Sequence, residues 1–389
     1  MITVLADDIT GAAEIAGVCL RYGLKVTFGI DTVPNVETDV CVIATDSRSR
    51  SELDAYRTHY QLAKTIFKDP DSIVFKKCDS VLRGYVLTEL SALLDVRKFK
   101  KIVLQPANPA SGRCIRDGIY YVGTEKIEHT DFARDPDFPA SFSEVKKLLL
   151  SRSAKYNQIT EFHTAILSGL SENGLYVSDC TTVDDLIKGS KLSGTETLQC
   201  GSAAFFEQIL LNTYSPIKTS VQPETISTGN FLLVSGSTHS ASRTASDQFN
   251  GNRCPAASFP AALLQVKTEQ GSLEAFAAEL YRVWSQDKNL ILTISEKKVD
   301  FPGSSTILKQ RMGQLVKLLV EKCEIKELFI EGGATTYSIL NCLNWKTLIP
   351  VEELSPGVVR MEILNTPSMH LTLKPGSYSW PEAITALLA

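Results

Sequence analysis

The feature that most constrains this chain is the alternation of short, continuously apolar runs with stretches of helical period. Ile2–Ala6, Lys25–Ile30, Val40–Thr45, Ser72–Lys77 and Lys101–Gln105 are rich in β-branched and other apolar residues. Strands of that kind suit a parallel sheet covered on both faces, not one with a wet side. Between them lie Gly11–Tyr22, a stripe of Leu53, Tyr56, Tyr60, Ala63 and Phe67, and a segment from about Gly84 to Asp95. Spacings of three and four residues mark amphipathic helices. The alternation predicts an α/β fold with mainly parallel sheets. Right-handed crossovers then bring every strand's carboxyl end to one edge, where ligands gather.

From Pro106 to Ser143 the alternation stops in a stretch rich in Pro, Gly, Asp and Arg, and a structureless loop of that length is often functional. Gly174–Cys180 and a helix near Gly201–Asn212 complete a first unit. The 389 residues exceed one compact domain. The polar, proline-containing residues 216–229 are read as a linker between domains at 1–215 and 230–389. In the second unit, Phe231–Val234, Asn289–Ile294 and Glu327–Ile330 are expected strands. Leu308, Met312, Leu315, Leu319 and Cys323 form a helix stripe. Two late strands, Val358–Leu364 and His370–Lys374, precede a terminal helix from Pro381.

Composition narrows the function. Lys+Arg is 40 against Asp+Glu 44, a net charge of −4, which argues against a dedicated nucleic-acid binder. No apolar run is long enough to span a bilayer. The start, with Asp7 and Asp8 and no basic segment, is unlike a signal peptide, so a cytoplasmic location is expected. Nine scattered cysteines without a CxxC pair read as reduced thiols, and five dispersed histidines supply no zinc site.

Two motifs fall where strands feed helices. Ala6-Asp7-Asp8-Ile9-Thr10-Gly11-Ala12 ends the first strand. Paired carboxylates there can hold substrate hydroxyls, orient Mg²⁺ or accept a proton, although Asp8 or Thr10 also suits an N-cap. Lys77-Cys78-Asp79-Ser80-Val81-Leu82-Arg83-Gly84 ends another strand. Period-two alternation points Lys77 and Asp79 together, with Arg83 expected at the start of the next helix as a fork for carboxylate or phosphate. Arg113, within Pro106–Arg113, is a candidate second cation, while Tyr121-Val122-Gly123 reads as a hairpin and Thr130–Pro136 as a capped turn. In the second unit, Gly236-Ser237-Thr238-His239-Ser240 and Gly332-Gly333-Ala334-Thr335 follow apolar strands and suit phosphate at helix N-termini. Turns at Gly357 and Gly376 could border the same ligand. GxxxxGK[ST] and GxGxxG are both absent.

Together these motifs resemble the four-carbon acid sugar kinase family. Asp7–Ala12 looks like its DD-hydrophobic-TGA, Lys77–Gly84 like its K-x-D-S-T-L-R-G, and Pro106–Arg113, Gly118–Gly123 and Thr130–Pro136 like its next three motifs. The resemblance implies two α/β domains with a catalytic cleft between them, the first binding an acid sugar and the second ATP. It places Asp8, Lys77, Asp79, Arg83 and Arg113 on the substrate side, with Asp7, Thr10 and Ser80 alongside in the same motifs. It places Ser237 or Ser240, the turn Gly332, Gly333, Ala334 and Thr335, and Gly376 on the nucleotide side. Three positions depart from the pattern: Val81 replaces Thr, Ala334 stands where an acid is common, and the serine turn differs.

The resulting expectation is an ATP-dependent kinase acting on a hydroxyl of threonate, erythronate or 3-oxo-tetronate, with Asp8 or Asp79 as proton acceptor and Mg²⁺ on the ATP phosphates. Its partners are the acid sugar and ATP, without nucleic acid or membrane, and with a homodimer left open. Rival expectations are a non-catalytic acid-sugar sensor and an oxidoreductase with an atypical nucleotide site.

Overall fold

The structure, a computed structural model, describes residues 1–153, 155–164, 173–217, 226–236, 254–264, 270–294, 301 and 303–388. The chain divides into two units, Met1–Lys218 and Thr219–Ala389. Most of the expected linker, residues 218–225, lies outside the described residues, as do Ser237, Thr238, His239 and Ser240.

In the first unit, β1 (Ile2–Ala6), β2 (Val26–Ile30), β3 (Val40–Ala44), β4 (Ile73–Lys77) and β5 (Lys101–Gln105) match the apolar runs to within a residue. With β9 (Phe162–Thr164), β10 (Gly174–Val177) and β11 (Thr197–Gly201) they form a wholly parallel sheet in the order β2-β3-β1-β4-β11-β5-β10-β9. Register aligns Ala6 with Ala44 on one side and Lys77 on the other. The segments after β1, β3 and β4 therefore emerge side by side at one edge. Helix α1 (Ile9–Arg21) packs Ile9, Ala12, Ala13, Ile15 and Ala16 inward, and its small side chains let it lie close to the sheet.

Several expectations need correction. The hairpin expected at Tyr121-Val122-Gly123 is present, but the stretch from Pro106 holds more regular structure than a loop: β6 (Arg113–Arg116), β7 (Ile119–Val122) and β8 (Glu125–Lys126) form a small antiparallel sheet. Arg83 does not open a helix. It sits in a turn with Leu82 at φ 62° and Gly84 at φ 92°, and helix α3 begins at Val86 and runs to Val96. Helix α2 (Glu52–Ile66) buries Ala55, His59, Leu62, Ala63 and Ile66. Its inner face is thus rotated from the expected stripe, because a wholly buried histidine falls on it. The helix after β11 is α6 (Ala203–Leu211), and the expected helix start at Gly201 belongs to the strand.

The second unit contains β12 (Phe231–Ser235), β13 (Ala256–Phe259), β14 (Asn289–Ile294), β15 (Glu327–Glu331), β16 (Thr347–Ser355), β17 (Val358–Ile363) and β18 (Thr366–Lys374). Their order is β13-β14-β12-β15-β18-β17-β16, parallel through β18 and antiparallel across β17. β16 is a strand the pattern did not reveal, because Glu352 and Glu353 interrupt its apolar character. Phe231, Leu233, Ile291, Phe329, Val358, Trp380 and Ile384 form a core cluster here. All nine cysteines are free thiols. Among the described residues no helix is long and apolar enough to cross a membrane.

Candidate active site

The carboxyl edge of the first sheet gathers charges from three strands. Asp8 caps α1: its Oδ1 accepts from Gly11 N at 3.1 Å and its Oδ2 from the Thr10 hydroxyl at 2.5 Å. Capping does not exhaust its role. Arg48, in the turn after β3, donates to Asp7 Oδ2 through Nε at 3.1 Å and Nη2 at 2.8 Å, and to Asp8 Oδ1 at 3.1 Å. The same Nη2 lies 3.6 Å from Asp79 Oδ1. Burial would lower the Arg48 pKa, but the three carboxylates outweigh it and hold it well above the usual arginine value. Burial raises the pKa of Asp7, with Arg48 only partly offsetting it. Burial also opposes the charge on Asp8, yet Arg48, Lys77 and the Thr10 hydroxyl prevail and lower its pKa.

Lys77 is buried at the end of β4, its Nζ donating to Cys78 O at 3.0 Å. A Cβ on Gly11 would come within 2.9 Å of this Nζ, so glycine at that position admits the lysine to the helix start. Burial works against the ammonium, but Glu14, Asp7 and Asp8 hold its pKa above the ordinary value.

Asp79 is held almost entirely by its own turn. Oδ2 accepts from Val81 N at 3.2 Å, Arg83 N at 3.1 Å and Arg83 Nε at 3.0 Å, and Oδ1 accepts from Arg83 Nη2 at 2.9 Å. Burial opposes ionisation, but Arg83 and Arg48 keep its pKa well below the carboxylate range. Arg83 also reaches Asp135 Oδ2 at 3.4 Å. Arg113 donates to the Ser80 hydroxyl, and the Tyr120 hydroxyl donates to Ser80 O. The Arg83 and Arg113 guanidinium carbons lie 6.0 and 5.8 Å from the Phe132 ring centre.

Asp7, Asp8, Thr10, Lys77, Asp79, Ser80, Arg83 and Arg113 therefore form one connected cluster. Sequence reasoning missed Arg48, although a basic residue just past the third apolar run was a usable signal. It also treated Phe132 and Asp135 as turn chemistry. Side-chain exposure separates the three carboxylates: Asp8 retains 17%, Asp79 9% and Asp7 1%.

In the second unit, Ser235, Glu331 and Lys374 are register partners at the ends of β12, β15 and β18. Ser235 donates to Glu331 Oε2 at 3.0 Å. Lys374 Nζ lies 2.6 Å from Glu331 Oε1 and donates to Tyr378 O at 2.6 Å and Pro375 O at 3.1 Å. Backbone bonds join the exits: Gly236 N to Glu331 O, and Gly332 N to Lys374 O, both at 3.0 Å. Gly332 has φ 101° and precedes helix α9 (Gly333–Cys342). That left-handed backbone suits glycine and lets a ligand meet the first helix amides. Ala334 is half-buried and Thr335 buried in that first turn. Gly376 lies in the turn after β18, and Tyr378 two residues on packs against Gly357. The described nucleotide-side candidates thus converge, and the cradle fits anionic phosphates: helix-start amides over a backbone without a Cβ. Lys374 spends its donors inside the protein, on one carboxylate and two carbonyls. Among the described residues, no group of three or more His, Cys, Asp or Glu side chains could hold a metal ion.

A sugar-binding N-terminal domain family matches residues 2–209, and a nucleotide-binding C-terminal domain family matches residues 232–378. D-erythronate kinase of Heliobacterium modesticaldum is 29% identical over 54% of this chain, and the chain spans about half, 52%, of that relative's length. D-threonate kinase of Salmonella typhimurium is 23% identical over 91% of this chain and 89% of its own. The chain belongs to the four-carbon acid sugar kinase family. A solved Salmonella typhimurium structure has the same fold as this family member, with a TM-score of 0.79 at 19% identity over 99% of this chain and 98% of that one.

Proposed function

We propose that the protein is an ATP-dependent kinase that phosphorylates a hydroxyl of a four-carbon sugar acid of the threonate, erythronate or 3-oxo-tetronate type. The observation that carries this reading is the cluster at the first sheet's carboxyl edge, where Arg48 joins Asp7, Asp8 and Asp79 beside Lys77, Arg83 and Arg113. A small polyhydroxy anion needs such mixed charge. Arg83 and Arg113, half-buried with Phe132 beside them, receive the substrate carboxylate, for which a planar guanidinium is well shaped. Asp8 orients the attacking hydroxyl and takes its proton as the bond to phosphorus forms. Its remaining exposure and the acceptor position left beside the Thr10 hydroxyl on its Oδ2 favour it over Asp79, whose oxygens are occupied by Arg83. Asp79 then acts through Arg83 by fixing its fork. Lys77 supplies positive charge where the transferring phosphoryl group meets the hydroxyl.

On the nucleotide side, Gly332, Gly333, Ala334 and Thr335 hold phosphate oxygens through backbone amides, with Gly357 and Gly376 bordering the ligand. ATP supplies the phosphoryl group. Asp7, Asp8 and Asp79 at the first site are already paired with Arg48, so Mg²⁺ would be held by the ATP phosphates and water more than by these carboxylates. Phosphoryl transfer depends mainly on positioning and charge stabilisation, and this inventory offers both.

The test is an ADP-release assay with ATP–Mg²⁺ against threonate, erythronate and 3-oxo-tetronate, beside thermal shifts with ATP–Mg²⁺ and with NAD(P)H. Acid-dependent ADP release supports the kinase. Acid binding without release would favour a sensor, and selective stabilisation by the dinucleotide would favour an oxidoreductase.

A further inference from the structure

Beneath the candidate site lies a set of buried polar residues that the proposed chemistry leaves unused. Glu89 on α3, Lys76 on β4, Ser47 in the turn after β3 and His59 on α2 are all wholly buried. Lys76 Nζ sits 2.8 Å from Glu89 Oε2 and also donates to Lys77 O at 2.8 Å. Ser47 donates to Glu89 Oε1 at 2.5 Å and lies 3.4 Å from Asp7 O. Thr45 Oγ1 stands between Ala6 O at 2.8 Å and Ser47 Oγ at 3.1 Å. Arg48 N donates to Asp7 O at 3.3 Å. His59 Nδ1 is 2.9 Å from Ala55 O, and its Nε2 lies 3.8 Å from Glu89 Oε2.

We propose that Glu89 is a positioning residue for the phosphoryl-transfer site, holding the Arg48 turn through Ser47 and the Lys77 strand end through Lys76. The inference rests on the kinase reading of that site. Stability alone does not account for the arrangement, because an apolar pair of similar volume is often as stable as a buried ion pair. Geometry does account for it. One carboxylate contacts, directly or through one residue, all three segments that deliver Asp7, Arg48 and Lys77. Arg48 can bridge Asp7 and Asp8 only while its turn stays seated.

Glu89→Gln would leave Lys76 charged in the core and could simply unfold the protein, so Ser47→Ala is the informative variant. It severs the link to the Arg48 turn and keeps the ion pair. The expected result is a fall of about 10- to 100-fold in kcat/KM for the acid, with the KM for ATP unchanged. A second readout needs no turnover: the carboxyl titration of Asp8, followed by ¹³C NMR and assigned from the resonance lost in Asp8→Asn. Arg48, Lys77 and the Thr10 hydroxyl press that titration down against burial and Asp79. Loosening Arg48 should move its midpoint upward in Ser47→Ala. Wild-type acid kinetics together with an unmoved Asp8 midpoint would overturn the proposal. If the wild-type protein phosphorylates no sugar acid, the reading of the site fails, and the Asp8 titration still decides whether the turn is held by this network.

Discussion

At the carboxyl edge of the first sheet, polar contacts come from side chains: Arg48 and Lys77 act on carboxylates of neighbouring segments, and Arg83 pairs with Asp79 within one turn. At the corresponding edge of the second sheet, main-chain groups are presented around Gly332 and the helix it opens, while Ser235, Glu331 and Lys374 are buried. The contrast fits two kinds of ligand. A four-carbon acid differs from its isomers by single hydroxyls, so its site needs individually placed donors and acceptors. Phosphates are alike in every nucleotide, and backbone amides suffice for them. Each unit nevertheless places one buried lysine–glutamate pair under its edge, Lys76–Glu89 in the first and Lys374–Glu331 in the second.

This division yields predictions that can break it. Asp8→Asn should lower kcat by about 10²- to 10⁴-fold, the usual range for a lost proton acceptor, with the KM for ATP unmoved. A wild-type kcat in steady-state kinetics would remove Asp8 from the chemistry. Lys374→Met breaks the buried ion pair with Glu331 by removing its cation, a loss of about 3–5 kcal/mol. Urea unfolding should reveal it, and the surviving folded protein should show a raised KM for ATP. A change confined to the KM for the acid would contradict the assignment of that edge to the nucleotide.

Acid should bear on the first unit through His59. Burial, which Glu89 only partly offsets, holds its pKa down at about 4 against 6.5 when unfolded. Between those values the unfolded chain binds the extra proton, so stability is full above pH 6.5 and falls by about 3 kcal/mol as pH drops through 4. His59→Gln should flatten this limb in a series of melts against pH, and an unaltered limb would refute the assignment. The smallest effect is expected at Gly332. A Cβ there in a left-handed backbone costs about 1–3 kcal/mol, and Gly332→Ala should raise the KM for ATP while sparing that for the acid.

The same contrast explains what was legible in the sequence. Asp7, Asp8, Lys77 and Arg83 are legible because each ends or follows an unmistakable apolar run, and register aligns the ends of β1 and β4. Arg48 also lies past an apolar run, but its partners depend on β3 neighbouring β1, a fact of strand order that local pattern does not carry. The Glu331–Lys374 pair joins residues far apart in sequence and needed the same knowledge. β16 was hidden because Glu352 and Glu353 resemble a loop. The inner face of α2 was misjudged because hydrophobic spacing cannot foresee that His59 is buried in a polar network. Similarly, Phe132 and Asp135 read as turn residues until Arg83 was seen against them.

The most direct measurement is ³¹P NMR of a reaction containing the protein, ATP–Mg²⁺ and each four-carbon acid in turn, with Asp8→Asn in parallel. The account predicts a new phosphomonoester signal with one of the acids, growing as the γ-phosphate signal of ATP declines and absent with Asp8→Asn. Loss of ATP to inorganic phosphate alone, or an unchanged spectrum with every acid despite measurable acid binding, would contradict it.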